Sequence, residues 1–196
     1  MGKRLFDIFF SSIGILILSP LFIILCIWVA LDSPGGFFYR QIRVGRFGKD
    51  FRLFKFRSMV TGSDKKGLLT VGGNDARITR IGAVLRKYKL DELPQLFNVW
   101  LGDMSLVGPR PEVRKYVSLY SEEQLKVLNV RPGITDYASI KYFSENELLG
   151  QSSDPEKTYV EEIMPEKLRL NLIYIQDKSF LTDIKIILKT LLKIIF

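Results

Sequence analysis

Histidine is absent from the 196 residues. Imidazole acid–base catalysis, Ser-His-Asp triads and His-ligated zinc are thereby excluded, so any chemistry must use carboxylates, Lys or Arg, hydroxyls, or a metal held by oxygen. Cysteine is nearly as scarce. Cys26 is the single one, which rules out a disulfide within the chain, and its place inside an apolar run marks a small buried or lipid-facing residue. There is no internal repeat and no low-complexity tract. Residues 61–75 are glycine-rich and polar and read as a loop, but the Gly-x4-Gly-Lys-Ser/Thr spacing of a phosphate loop is missing. Acidic residues are outnumbered, 21 against 29 Lys and Arg. That excess favours anionic partners such as lipid headgroups, nucleotides and sugar phosphates; charge alone does not exclude nucleic acid.

What the chain does have is an almost unbroken apolar run from Leu5 to Leu31, with basic residues at both ends: Lys3 and Arg4 before it, Arg40, Arg43, Arg46 and Lys49 after it. A single membrane span normally carries its basic excess on one side only. Ser19-Pro20 interrupts the run, and proline removes an amide donor and disfavours helix at the preceding residue. Divided there, the pieces of about 15 and 12 residues reach roughly 22 and 18 Å as helix, short of a hydrocarbon core about 30 Å thick. A re-entrant segment, bent at Ser19-Pro20 and leaving on its side of entry, is the economical expectation. A kinked ordinary span and a buried core helix stay open, since the whole run could reach about 40 Å and proline is tolerated in membranes. Asp32-Ser33-Pro34 offers no small-x-small cleavage site, and Phe6 stands where a myristoylation signal wants Ser or Thr.

Beyond this segment the length predicts one further domain. Pro34-Gly35-Gly36 marks a turn. The stretches 37–39 and 51–57, divided by Gly45 and Gly48, predict a β-hairpin with one apolar and one basic face. Seven of residues 40–57 are Lys or Arg, suiting either a solvated edge or a strip facing phosphate. Helical spacing is predicted over 78–89, and again from about Asp91 to Gly102, with Pro94 in the first turn. A short helix over 121–128 capped by Ser121 and a turn at 131–135 follow. The tail from Phe180 to Phe196 is amphipathic, with Lys185, Lys189 and Lys193 on one face, and suits equally an interfacial helix or one docked on the core.

Asp91-Glu92 is the candidate reactive pair. Adjacent helical residues diverge by about 100°, and an acidic first turn that completes a helix dipole is the ordinary explanation. Arg86 and Arg110 nearby in sequence, together with a helix start that favours anions, suit phosphoryl transfer instead. There Mg²⁺ bridges carboxylate and phosphate oxygens, or an aspartate attacks phosphorus directly.

At these residues the chain resembles a known family. The blocks 55–59 (KFRSM), 90–96 (LDELPQL), 102–105 (GDMS), 107–111 (VGPRP) and 131–135 (RPGIT) occur in the order seen in the bacterial sugar transferase family, specifically in its small monotopic phosphoglycosyl transferases. The resemblance covers essentially the whole chain. It implies a mainly α member of the α/β class: a re-entrant membrane helix over residues 1–33 broken at Ser19-Pro20, then a cytoplasmic catalytic domain over 34–196 with a short β-hairpin and interfacial amphipathic helices. It also implies a location at the cytoplasmic face of the bacterial inner membrane.

By that resemblance the enzyme moves a sugar 1-phosphate from a UDP-sugar to polyprenyl phosphate, with release of UMP and ping-pong kinetics. Asp91 matches the nucleophile and Mg²⁺ ligand, Glu92 the assisting base for the incoming polyprenyl phosphate, and Arg86 a residue supporting the pair. Lys55, Arg57, Pro109, Arg110, Pro111, Arg131 and Lys141 are the expected substrate-binding residues. The implied partners are both substrates, membrane lipids and downstream membrane-associated glycosyltransferases, with no nucleic acid. Two departures bear on sugar recognition. After residue 135 many relatives continue Gly-Trp-Ala-x-Val-Asn-Gly-Arg, whereas this chain has DYASIKYF and then an insertion over 144–165; Lys141 is the nearest cation. Where relatives carry Leu-Asp-Val, this chain has Leu170-Asn171-Leu172. The competing reading is a non-catalytic basic module that recruits anionic lipid or nucleic acid to a membrane surface.

Overall fold

In the computed structural model, residues 2–63, 67, 69–72 and 75–195 are described; the loop expected over 61–75 lies partly outside them. The apolar run forms helix α1, Gly2–Asp32, continuous through Pro20. The expected division into two pieces is therefore corrected: Pro20 costs one amide, but Ser19 Oγ donates to the Leu16 carbonyl at 2.8 Å, the acceptor that amide would have used. A local hydroxyl thus preserves the ladder.

Both ends of α1 rest on the same globular body. At the start, Arg4 donates to the carbonyls of Val99 (2.6 Å) and Trp100 (2.9 Å). Buried Asp7 accepts from Ser105 Oγ and Leu106 N, each at 3.0 Å, and Lys3 pairs with Asp183. Midway, Phe22 packs its ring 5.5 Å from those of Phe56 and Phe97. At the far end, Asp32 accepts from Ile81 N at 3.1 Å. The opposite face is bare: Leu5, Leu16, Ile17 and Leu31 are 68–81% exposed.

The hairpin forms as expected, with β1 (Phe38–Val44) antiparallel to β2 (Asp50–Phe56) and Phe38 opposite Phe56. Helix α2 (Arg80–Lys87) is capped by Thr79, whose Oγ1 accepts from Gly82 N at 3.0 Å. A 3-10 turn over Leu90–Glu92 precedes α3 (Gln95–Leu101). Strand β3 (Ser105–Val107) pairs in parallel with β4 (Gly133–Thr135), so the turn expected at 131–135 ends in a strand. Between them lie α4 (Arg114–Val117) and a 3-10 segment over Gln124–Asn129. Ser121 and Gln124 exchange side-chain-to-amide bonds ahead of it, a reciprocal capping box. Short helices α5 (Tyr137–Lys141), α6 (Glu145–Gly150) and α7 (Pro155–Thr158) lead through a π-turn over Tyr159–Ile163 into α8 (Met164–Asp177). Pro165 lies in the first turn of α8, where its missing amide is least costly.

Helix α9 (Phe180–Ile195) is docked on the core along one face. Asp183 and Ile186 are buried and Thr190 bonds Thr135 at 2.6 Å, while Leu181, Leu188, Leu191 and Leu192 stay more than half exposed. The Phe180 ring meets that of Phe6 on α1 at 5.1 Å. The largest core cluster joins α8 and the π-turn to α4 and α6 through Tyr116, Leu149, Tyr159, Ile163 and Leu168. A second joins α1 to β2 and α2 through Phe22, Leu25, Val29, Phe56 and Leu85.

Candidate active site

Four local features converge on one cavity of about 720 Å³. β2 presents Lys55 near its end. α2 brings Arg86 in its last turn, and its close seat depends on Gly82, where a Cβ would stand 2.0 Å from the Ser58 carbonyl oxygen. The chain then reverses at Lys89, in the left-handed region (φ 55°), and the 3-10 turn sets out Asp91 and Glu92. The parallel strands β3 and β4 hold the loop that bears Arg110. Their contact is so close that a Cβ on Gly133 would sit 2.0 Å from Gly108 N; only glycine fits.

The pair Asp91-Glu92 is therefore not in the first turn of α3, as the sequence suggested, but on the separate turn before it. The amide of Glu92 bonds the Lys89 carbonyl at 3.2 Å and is not free for an anion. The two carboxylates diverge. Glu92 is gripped by Arg110, whose Nη1 reaches Oε2 at 3.0 Å while Nη2 bonds Oε1, and by Lys55 Nζ at 3.0 Å. Burial acts to raise its pKa, but Arg110 and then Lys55 outweigh that and hold Glu92 well below the usual carboxylate range. Arg110 is raised in turn, chiefly by Glu92. Its backbone amide donates to Asp136 at 3.2 Å, and Asp136 also caps α5 through Ser139 N.

Asp91 is different. It is 4% exposed, lines the cavity, and accepts no hydrogen bond among the described residues. Burial pushes its pKa up; Lys55 opposes this, Glu92 adds to it, and Arg86 and Lys89 pull it back. The result is a poorly solvated carboxylate with open lone pairs among cations. Mg²⁺ typically uses one or two carboxylates with substrate phosphates and water. Asp91 fits such a one-carboxylate site, whereas Glu92 is already engaged.

The structure brings Lys55, Arg57, Arg86, Asp91, Glu92 and Arg110 to the cavity wall. Arg57, however, uses its donors elsewhere: Nε on the Gly36 carbonyl (2.6 Å), Nη2 on the carbonyls of Ser33 (2.7 Å) and Val29 (3.3 Å), and Nη1 on Ser33 Oγ. It caps the C-terminal end of α1. Pro109 and Pro111 flank Arg110 but line a separate pocket of about 20 Å³; their carbonyls accept from Gly133 N and Arg43 Nη1. Arg131 lies outside the cavity, with Nε on the Gly102 carbonyl at 2.9 Å. Lys141 pairs on the surface with Glu166 at 2.7 Å.

Sequence reasoning passed over several cavity residues. Glu112 follows Pro111 and is held by Arg43 (2.9 Å), Tyr159 Oη (2.5 Å) and Val113 N (2.7 Å). Lys167 pairs with Glu145 at 2.7 Å. Glu145 and Tyr159 come from the 144–165 insertion, and no periodicity tied that segment to the site. Lys89, two residues before Asp91, was legible by proximity alone.

A family model described as bacterial sugar transferase matches residues 1–196. The chain is 38% identical over 192 residues to the UDP-N-acetylgalactosamine-undecaprenyl-phosphate N-acetylgalactosaminephosphotransferase of Aeromonas hydrophila, covering 96% of this chain and 42% of that protein. It is 37% identical over 195 residues to the UDP-glucose:undecaprenyl-phosphate glucose-1-phosphate transferase of Klebsiella pneumoniae, covering 97% of this chain and 39% of that protein. It is also 38% identical over 195 residues to exopolysaccharide production protein PSS of Rhizobium leguminosarum bv. phaseoli, covering 96% and 92% respectively. The chain thus spans less than half the length of the first two relatives and nearly all of the third.

Proposed function

The chain belongs to the bacterial sugar transferase family, and from that premise we propose that it transfers a sugar 1-phosphate from a UDP-sugar to a polyprenyl phosphate such as undecaprenyl phosphate. The observation that carries this reading is Asp91: a buried carboxylate, free of hydrogen bonds among the described residues, open to the cavity beside Lys55, Arg86 and Lys89. A carboxylate withdrawn from water by burial, beside cations that favour its charged form, is a better nucleophile than a solvated one.

In the first half-reaction an Asp91 oxygen forms a bond to the sugar-bearing phosphorus. The bond from that phosphorus to the bridging oxygen breaks, and UMP leaves with the electron pair. In the second, a polyprenyl phosphate oxygen attacks the same phosphorus and the Asp91–phosphorus bond breaks, which restores the carboxylate. Lys55 and Arg110 supply charge to the diphosphate, and Lys55, with Arg86 and Lys89, counters the burial that raises the Asp91 pKa. Mg²⁺ held by Asp91 would neutralise phosphate charge when bound. Glu92 cannot be a strong base while Arg110 and Lys55 grip it. Those are the cations the phosphates would recruit, and once they turn away burial raises the Glu92 carboxylate toward a pKa at which it takes the proton of the acceptor phosphate.

The same reading places the protein on one face of the membrane, the cytoplasmic one, with α1 embedded without crossing. Contacts from Lys3, Arg4 and Asp7 at one end of α1 and from Asp32 at the other tie both to a single domain, which supports this over a span. The bare aliphatic residues of α1 and α9 would face lipid. With UDP-sugar alone the protein should release about one UMP per chain and gain the mass of a sugar phosphate. Asp91→Asn should abolish both. An adduct on that variant, or initial rates of ternary-complex form, would sink the covalent mechanism.

A further inference from the structure

The cations on the cavity wall differ sharply in their partners. Lys55 and Arg110 pair with Glu92, Arg43 with Glu112, Arg77 with Asp75, and Lys167 with Glu145. Arg57 is engaged by backbone carbonyls and Arg86 by Thr70 Oγ1 at 2.9 Å. Lys89 has no ion-pair partner among the described residues. Its ammonium makes one long bond, 3.4 Å to the Phe143 carbonyl, and sits 4.9 Å from the centre of the Phe143 ring. An ammonium carries three donors, and a half-buried one with a single weak acceptor is under-satisfied.

The backbone gives no reason for a lysine here. At φ 55° and ψ 20° Gly or Asn would be the comfortable residues, and non-glycine residues held in this region cluster at functional sites. What this conformation does is turn the chain from α2 into the turn that bears Asp91 and Glu92, with Lys89 on the wall of the same cavity. We infer that Lys89 is a substrate-phosphate ligand, exchanging its weak contacts with Phe143 for a phosphate oxygen. The inference rests on the proposed transfer reaction for the identity of the substrates, which offer two sources of that oxygen: the diphosphate of the nucleotide sugar and the phosphate of the polyprenyl acceptor.

The test uses the full chain in lipid nanodiscs with Lys89→Asn, which suits the left-handed backbone, and Lys89→Arg, which keeps the charge. UDP and uridine are each titrated by calorimetry. UDP affinity should fall about 10- to 100-fold in Lys89→Asn, the range of a charge-assisted hydrogen bond, while uridine affinity is unchanged and Lys89→Arg recovers most of the loss. If UDP is unaffected but discharge of the sugar-phosphate adduct needs about 10- to 100-fold more polyprenyl phosphate, the ligand is the acceptor's phosphate. Parallel weakening of UDP and uridine, no change in either measurement, or Lys89→Arg no better than Lys89→Asn overturns the inference. The UDP titration involves no turnover, so its outcome is separable from whether the wild type releases UMP.

Discussion

Replacing Glu92 by Gln should weaken the fold and strengthen nucleotide binding at once. The Glu92 side chain is 15% exposed, Lys55 18% and Arg110 31%, so all three charges are largely withdrawn from water. A neutral amide leaves two cations facing each other without their counter-charge. Removing one partner of a buried ion pair costs about 3–5 kcal/mol, and the partial exposure of Arg110 argues for the lower end. A chain of this size loses roughly 2–4 °C of Tm per kcal/mol, so a fall of about 6–12 °C is expected. Binding moves the other way. In the wild type, phosphates must take Lys55 and Arg110 from Glu92; in the variant that competitor is gone, and each 1.4 kcal/mol relieved is about tenfold in UDP affinity. Turnover should still fall, by about 10²–10⁴ in the acceptor half-reaction, through loss of the base. The pH dependence has a definite sign. Glu92 in the folded chain lies well below 4.5, so its contribution to stability is complete above 4.5 and is lost as pH falls through the lower folded value. The gap in Tm between wild type and variant should therefore be constant near neutrality and close only in strong acid. Differential scanning fluorimetry and UDP calorimetry measure the two effects. An unchanged Tm together with weaker UDP binding would refute the idea that Glu92 and the phosphates compete for the same cations.

Arg57→Met should cost at least about 3 kcal/mol, since several charge-assisted bonds to backbone carbonyls vanish together; a variant of normal stability with weakened UDP binding would return Arg57 to the substrate. Arg131→Ala and Lys141→Ala should leave KM for the UDP-sugar unchanged in steady-state assays, with Arg131→Ala alone lowering Tm; a raised KM in either would contradict their placement outside the cavity. Single cysteines introduced at Gly2 and Gly36 in a Cys26→Ser background should label from the same side of the membrane, and opposite-side labelling would refute the embedded, non-spanning helix.

Much of this was readable from order and periodicity. The alternation that makes the hairpin, the spacing of α2 and the helical period of the tail are local patterns, and each became the element it implied, whereas the Leu5–Leu31 run became one helix where a break was expected. The ordered blocks also contain Asp91, Glu92 and Arg110, which the fold brings to one cavity. Local pattern misled wherever a third partner decided. Pro20 should break a helix, but the hydroxyl of Ser19 restores the bond. Arg57 sits in a basic strip that suggested phosphate, but the end of α1 captures its guanidinium. Arg131 stands in a motif, yet its side chain bonds a carbonyl outside the cavity. Only the tertiary structure separated the two acids of the pair, leaving Asp91 open and Glu92 clasped. It also brought Glu112, Glu145, Tyr159 and Lys167 to the same cavity. Sequence fixes what a residue and its near neighbours can do, because helix and strand periods are short. Which charge meets which is set by contacts between residues far apart in the chain, and it is those partners and the water they exclude that decide whether a carboxylate attacks, takes a proton or merely holds an arginine.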